Sequence, residues 1–191
     1  MIGYSRVYPQ PFLVGLPLLA LILTLLWRRR TGPLYLLGVG LFGFYLIGIV
    51  NLVFFPILLP PNWPEGVTLE GAQLTLSHVN LIPFYYGDMF TLNFRTIIYE
   101  IAGNFLLTVP FGFGLPFLAR LQAKRMPWLA LGVGLTFEIT QLAIALILGS
   151  YARSVDINDV LLNAAGVLFG YGLWRLLTRI LRAVPLRLSN S

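Results

Sequence analysis

Between Pro11 and Trp27 the sequence carries no charged residue, and the run stops abruptly at Arg28, Arg29 and Arg30. Stretches of this kind constrain the fold more than any other feature. Crossing about 30 Å of hydrocarbon takes roughly 20 helical residues, and inside lipid every backbone N–H and C=O has to be bonded within its own segment. Four further apolar stretches follow, at about 33–56, 94–118, 127–148 and 157–177. With 58% hydrophobic residues, 10% charged and a mean hydropathy of +0.82, the chain lies outside the soluble range. The expected fold is all-α: a polytopic transmembrane helix bundle of about five helices in a single domain, residues 1–191.

The first run reads as a retained helix rather than a signal peptide, since basic residues follow it and no small-residue cleavage site does. The second ends near Asn51 to Pro56, because Pro56, Pro60, Pro61 and Pro64 remove helical donors from what comes next. Residues 60–92 form the one long polar stretch and are expected to be the main loop outside the membrane. In the third run, Pro110 and Pro116 predict a kink or an early finish.

Five crossings place the two termini on opposite sides. The basic residues then sort themselves: Arg28, Arg29, Arg30, Arg120, Lys124, Arg125, Arg175, Arg179, Arg182 and Arg187 share one side, against Arg6, Arg95 and Arg153 on the other. Positive residues favour the cytoplasmic side, which predicts N terminus out and C terminus in. The net charge of +6 is then topological. Anionic membrane lipid is a sufficient partner for it, and no nucleic acid is implied. The absence of cysteine removes disulfides, thiol nucleophiles and thiolate metal sites. Gly166-x-x-x-Gly170 fits close helix contact in lipid.

The polar residues within the apolar runs are the candidates for function. Glu100 and Asn104 share a face of the third helix, Glu138 and Gln141 a face of the fourth, and Asp156, Asp159 and Asn163 follow the same spacing in the fifth. A charged side chain at the bilayer centre costs about 2.5–3.5 kcal/mol on insertion scales, so Glu138 is expected to face the bundle interior. Its candidate partners are Arg153, Arg95, Gln141, Asn104 and Asn163. These residues predict a polar pocket among the third, fourth and fifth helices, open to the outside. Capping is the competing account for two of them. Asp156 fits an N-cap and Asp159 an acidic first turn, whereas Asn163 lies too deep for either. His78, the single histidine, sits in the polar loop and reads as solvated.

Three motifs carry a resemblance: "VNLIPF" (Val79 to Phe84), "NFLLTVPFGFGLP" (Asn104 to Pro116), and "FEITQL" (Phe137 to Leu142) followed by "RSVDINDVLLNAAGVLFGY" (Arg153 to Tyr171). In order and spacing they resemble the VanZ-like family of small bacterial membrane proteins, over roughly residues 79–171. The resemblance points to Asn80, Pro83, Asn104, Pro110, Gly112, Glu138, Gln141, Arg153, Asp156, Asp159, Asn163 and Gly166. The family often has an aromatic where Thr108 stands. It implies action at the outer face of a bacterial plasma membrane, in a role of the kind associated with resistance to teicoplanin, a lipid-tailed glycopeptide. It brings no catalytic mechanism.

The sequence has no G-x-S-x-G, H-E-x-x-H, Walker loop, dinucleotide fingerprint or His/Cys cluster, so no cofactor or metal is expected and enzymatic activity is not favoured. The leading expectation is binding of a lipid headgroup, a lipid-linked envelope molecule or an amphiphilic glycopeptide antibiotic. In that reading Arg153 meets an anionic group, oriented by Glu138, Asp156 and Asp159, while Asn80, Asn104, Gln141 and Asn163 supply hydrogen bonds. The alternatives are an enzyme acting on a lipid-linked substrate, a small proton-coupled transporter titrating at Glu138, or an accessory subunit of a membrane complex. A homo-oligomer is compatible with each.

Overall fold

A computed structural model describes residues 5–7, 11–55, 57–59, 68–86, 94–119, 121–148 and 155–183. Five of its helices are long and apolar enough to cross a membrane. They are α1 (Pro11–Arg28), α2 (Pro33–Phe54), α4 (Phe94–Leu118), α5 (Met126–Leu148) and α6 (Ile157–Ala183). The short helix α3 (Leu69–Ser77) lies between the second and third of them. Two three-residue strands, β1 (Ser5–Val7) and β2 (Ile57–Leu59), pair antiparallel with Ser5 opposite Leu59.

The α1–α2 hairpin shows how the sequence ends one helix and starts the next. Arg30 adopts the left-handed region at φ 56°, the Thr31 N–H reaches back to the Leu26 carbonyl, and the Thr31 hydroxyl donates to the same oxygen at 2.9 Å. This pattern satisfies carbonyls that a helix C-terminus otherwise leaves open. Pro33 then opens α2, where its missing N–H costs nothing.

The innermost helix is α6. Its buried residues Val160, Asn163, Val167 and Gly170 recur every three or four positions, so they form one stripe, which Ala164 broadens. Against it lies α4, at backbone contact. A Cβ on Gly166 would stand 2.2 Å from the Phe105 carbonyl oxygen, and one on Gly170 would stand 2.0 Å from that of Val109. Lipid tails are as apolar as leucine, so helices in a bilayer associate through such close van der Waals contact and interhelical hydrogen bonds. Thr108 supplies one of the latter, donating to the Asn163 carbonyl at 2.8 Å.

On the other side of α6, α5 contributes Ala130, Gly134 and Glu138, a stripe of four-residue spacing. Met126, Ala130, Ala164 and Val167 form the apolar core between the two. On α2, Phe42 meets Phe111 of α4 with ring centroids 5.9 Å apart, and the Tyr45 hydroxyl donates to the Leu107 carbonyl at 2.5 Å. Large apolar side chains cover the outside, among them Leu13, Leu41, Leu106, Ile139 and Leu181. No residue of α1 is buried.

Two details depart from the sequence expectation, and a third decides between its alternatives. The polar stretch 60–92 contains α3, begun by Thr68, whose hydroxyl accepts from the Gly71 N–H at 3.1 Å. Of the kink and the early finish offered at its prolines, the early finish does not occur: α4 keeps the expected span as one helix through Pro110 to Leu118. And α6 runs on to Ala183 rather than stopping near 177: Arg175, Arg179 and Arg182 are exposed, and the helix continues through them.

Candidate functional site

The N-terminus of α6 organises the polar side chains. Asp156 sits at the cap, where its carboxylate Oδ1 accepts from the Asn158 N–H at 2.7 Å and from the Asn80 side-chain amide at 3.0 Å. Capping therefore does account for Asp156 locally, with a typical worth of about 1 kcal/mol. The same residue is also a junction. Its own N–H donates to Glu138 Oε2 at 3.1 Å, which ties α5 to the start of α6 and gives the buried carboxylate a donor.

The segment 79–86 is clasped onto this junction. Asn80 pairs with Asp156 as a parallel bridge: the Asn80 N–H donates to the Val155 carbonyl at 2.8 Å, and the Ile157 N–H to the Asn80 carbonyl at 2.9 Å. The Asn80 side-chain oxygen accepts from the Ile82 N–H at 3.0 Å, while its amide donates to the Tyr85 carbonyl at 2.9 Å. Asn158 completes the clasp, accepting from the Phe84 N–H at 2.6 Å and donating to the Tyr85 carbonyl at 3.0 Å. Phe84 is held there at φ 62°, an uncommon conformation for a residue with a side chain.

Below the junction α4 and α6 face each other through a second polar pair: the Asn104 amide donates to Asp159 Oδ1. One turn above Asn104 stands Glu100, and one turn below Asp159 stands Asn163. Asn163 is only 2% exposed, and its side-chain oxygen has no hydrogen-bond partner among the described residues. On α5, Gln141 donates not to Glu138 but to the Val53 carbonyl at the end of α2, at 3.3 Å.

These elements border a half-open cavity of about 770 Å³, a size typical of small-molecule sites. Asn80, Asn104, Glu138, Gln141, Asp156, Asp159 and Asn163 line it. Arg153 lies outside the described residues. The wall also includes Glu100, which the sequence pairs with Asn104, and His78, Tyr85, Tyr86, Tyr99 and Phe137, to which the sequence assigned no site role. Glu100 is signalled by its four-residue spacing from Asn104; the aromatic residues carry no comparable signal. His78 is exposed and its Nδ1 lies 2.8 Å from the Leu74 carbonyl oxygen, so it both meets solvent and reaches the cavity.

Electrostatically the wall is one-sided. Glu100, Glu138, Asp156 and Asp159 line it, and no lysine or arginine does among the described residues. Tyr86 senses the result: burial first, then the negative field of Asp156, Asp159 and Glu100, hold its phenol pKa above the ordinary 10.0. The acidic and histidine side chains are too dispersed to form a metal site, for no group of three among the described residues fits one. What the wall offers is an array of hydrogen-bond acceptors.

A family model described as VanZ/LLP1 matches residues 42–178. The chain belongs to the VanZ/LLP1 family. The matched stretch runs from mid-α2 to most of α6 and contains every described residue that lines the cavity; α1 and the first part of α2 lie outside it. No curated protein and no solved structure matches the chain. As a VanZ/LLP1 member with five apolar spans, it is a multi-pass membrane protein.

Proposed function

We propose that this VanZ/LLP1 protein binds the polar head of a membrane amphiphile in the cavity between α4, α5 and α6. The ligand is a lipid, a lipid-linked cell-envelope molecule or an amphiphilic glycopeptide antibiotic. The observation that carries this reading is a 770 Å³ space that gathers Asn80, Asn104, Glu138, Asp156, Asp159 and Asn163 beside apolar residues such as Leu52 and Leu107, set among helices whose outer surfaces are apolar. Such a place lets a headgroup be held by protein dipoles while its tail stays in hydrocarbon. Asn104, Asp159 and Asn163 supply the inner contacts, and Asn80 and Asp156 the upper ones.

The charge distribution supports the side. With α6 ending in Arg175, Arg179 and Arg182, and Arg28 to Arg30 joining α1 to α2, the positive-inside rule orients the cavity end outward in the bacterial plasma membrane. The ligand then enters from the outer leaflet, where a resistance-type role against lipid-tailed antibiotics is exercised.

Native mass spectrometry of the protein extracted in a mild nonionic detergent tests the reading. A co-purifying amphiphile is expected on the native chain and is expected to be lost from a folded Asn104→Leu, Gln141→Leu double variant. Retention of the same amphiphile by the double variant, or a native chain that carries none and takes up none when lipid is added, would refute it.

A further inference from the structure

We propose that the headgroup this cavity selects is a cation bearing N–H donors, a primary ammonium, held by Glu100, Asp159 and Asp156 with the Asn163 side-chain oxygen at the base. The inference deepens the amphiphile reading and rests on it.

Two independent observations meet at the same wall. The first is charge. On α4 and α6, Glu100 and Asn104 form one column and Asp159 and Asn163 another, joined by the Asn104–Asp159 hydrogen bond. Asp156 stands one turn above Asp159. No cation from the described residues lines the space, and Glu100 and Asp159 each have Asp156 as a like-charged neighbour. Like charges this close, in a protein surrounded by lipid, favour a ligand of opposite sign.

The second observation is the Asn163 oxygen. A buried acceptor without a donor is costly to leave unmade, and such orphans are rare in native structures. It lies two turns below Asp156, roughly 10 Å along the α6 axis at 1.5 Å per residue. A ligand that completes it has to enter past the carboxylates and present an N–H or O–H at the bottom.

The kind of cation follows. A metal ion needs several oxygens within about 2.3–2.6 Å of one point, and no described group of three acidic or histidine side chains provides that. An ammonium carries three donors that reach acceptors at ordinary hydrogen-bond distance, so it suits dispersed carboxylates and an amide oxygen. The Tyr86 ring on the wall adds a face that attracts such a cation, as the Tyr99 ring beside it already does for the Arg95 guanidinium, 5.6 Å from its centroid. A quaternary ammonium satisfies the carboxylates but leaves the Asn163 oxygen without a donor.

The test uses the purified full chain in a maltoside detergent and four probes of equal chain length: octylammonium, octyltrimethylammonium, octanol and octanoate. Calorimetric titration is corrected against detergent alone. Octylammonium is expected to bind about tenfold more tightly than octanol, the factor of one charge-assisted hydrogen bond, and octanoate most weakly. Octyltrimethylammonium should fall between the first two. Glu100→Gln, at an exposed position that leaves the fold intact, and Asp159→Asn should each erase most of the preference for ammonium over octanol. Asn163→Leu should erase the preference for primary over quaternary ammonium. Ethylammonium, lacking a tail, should bind more weakly than octylammonium; equal affinity would overturn a membrane-borne source. Octanol or octanoate binding as tightly as octylammonium would sink the cation inference and leave the amphiphile reading standing. Failure of all four chains to bind would sink both. The ranking of probes on the native chain decides the matter even where a variant does not fold.

Discussion

Gly170→Ala on α6 adds one methyl group where the structure leaves no room for it. The new carbon would stand 2.0 Å from the Val109 carbonyl oxygen and 2.8 Å from the Phe113 nitrogen, both backbone atoms of α4. A close C···O contact is about 3.3 Å, so the two helices have to part by roughly 1.3 Å. A gap of even 0.5–1 Å forfeits about a quarter to a half of each dispersion contact, and dispersion is much of what joins helices in lipid. Overpacking of a core typically costs about 1–3 kcal/mol; because backbone rather than a flexible side chain obstructs, the expected loss is about 3 kcal/mol. Two positions along the same helix, Gly172 has nothing within 4 Å of its would-be Cβ. Gly172→Ala is therefore expected to be neutral or to stabilise by up to about 1 kcal/mol through helix propensity. Unfolding in mixed micelles of rising SDS fraction, followed by circular dichroism, measures both. Equal effects of the two substitutions would refute the claim that α4 and α6 meet backbone to backbone.

Three further outcomes follow from the geometry. Asn158→Ala removes two hydrogen bonds to the 84–85 backbone, worth about 1–3 kcal/mol together, so amide exchange at Phe84 should quicken by about 5- to 150-fold; unchanged protection there would contradict the clasp. Tyr45→Phe removes the hydroxyl that bridges α2 to the Leu107 carbonyl and should cost about 0.5–1.5 kcal/mol in the same unfolding assay; a stabilised variant would show that the bridge contributes nothing. A tyrosinate difference titration against Tyr86→Phe should place Tyr86 ionisation above 10.0, and Glu100→Gln should bring it down. In sign, the unfolded chain loses this proton first, so the Tyr86 contribution to stability is intact below pH 10.0 and fades as the pH rises through the folded value; a Tyr86 titrating at or below 10.0 would overturn the converging field.

The spans are legible in the sequence because a bilayer demands length and apolarity, and both can be read residue by residue. Their ends are less so. The end of α6 at Ala183 is hidden because arginines that look like a stop also continue a helix in water, and α3 is hidden because nine residues in a polar stretch show too little periodicity. The expense of a polar group in lipid picks out Glu138, Asn104, Asp159 and Asn163. Sequence spacing within one helix, however, cannot say which helices meet. The Asn80–Asp156 and Asn104–Asp159 pairs join residues 76 and 55 positions apart, and Asn158 reaches Phe84 over 74. Asn158 lies next to the more conspicuous Asp156 and Asp159 and off their face, so nothing local marks it as the clasp. The negative balance of the described wall residues is likewise a property of assembly: Glu100 joins Asp156 and Asp159 only once α4 lies against α6.

The chain contains no cysteine, so single introduced thiols report without background. A thiol reacts as thiolate in water and is inert in hydrocarbon. The central claim is that polar faces of α4 and α5 line a water-accessible cavity while their opposite faces meet lipid. Labelling of Asn104→Cys and Gln141→Cys, beside Leu106→Cys and Ile139→Cys, by a membrane-impermeant reagent on intact cells tests it most directly. The first pair should label and the second pair should not; labelling of Leu106→Cys and Ile139→Cys with the first pair inert would contradict the account.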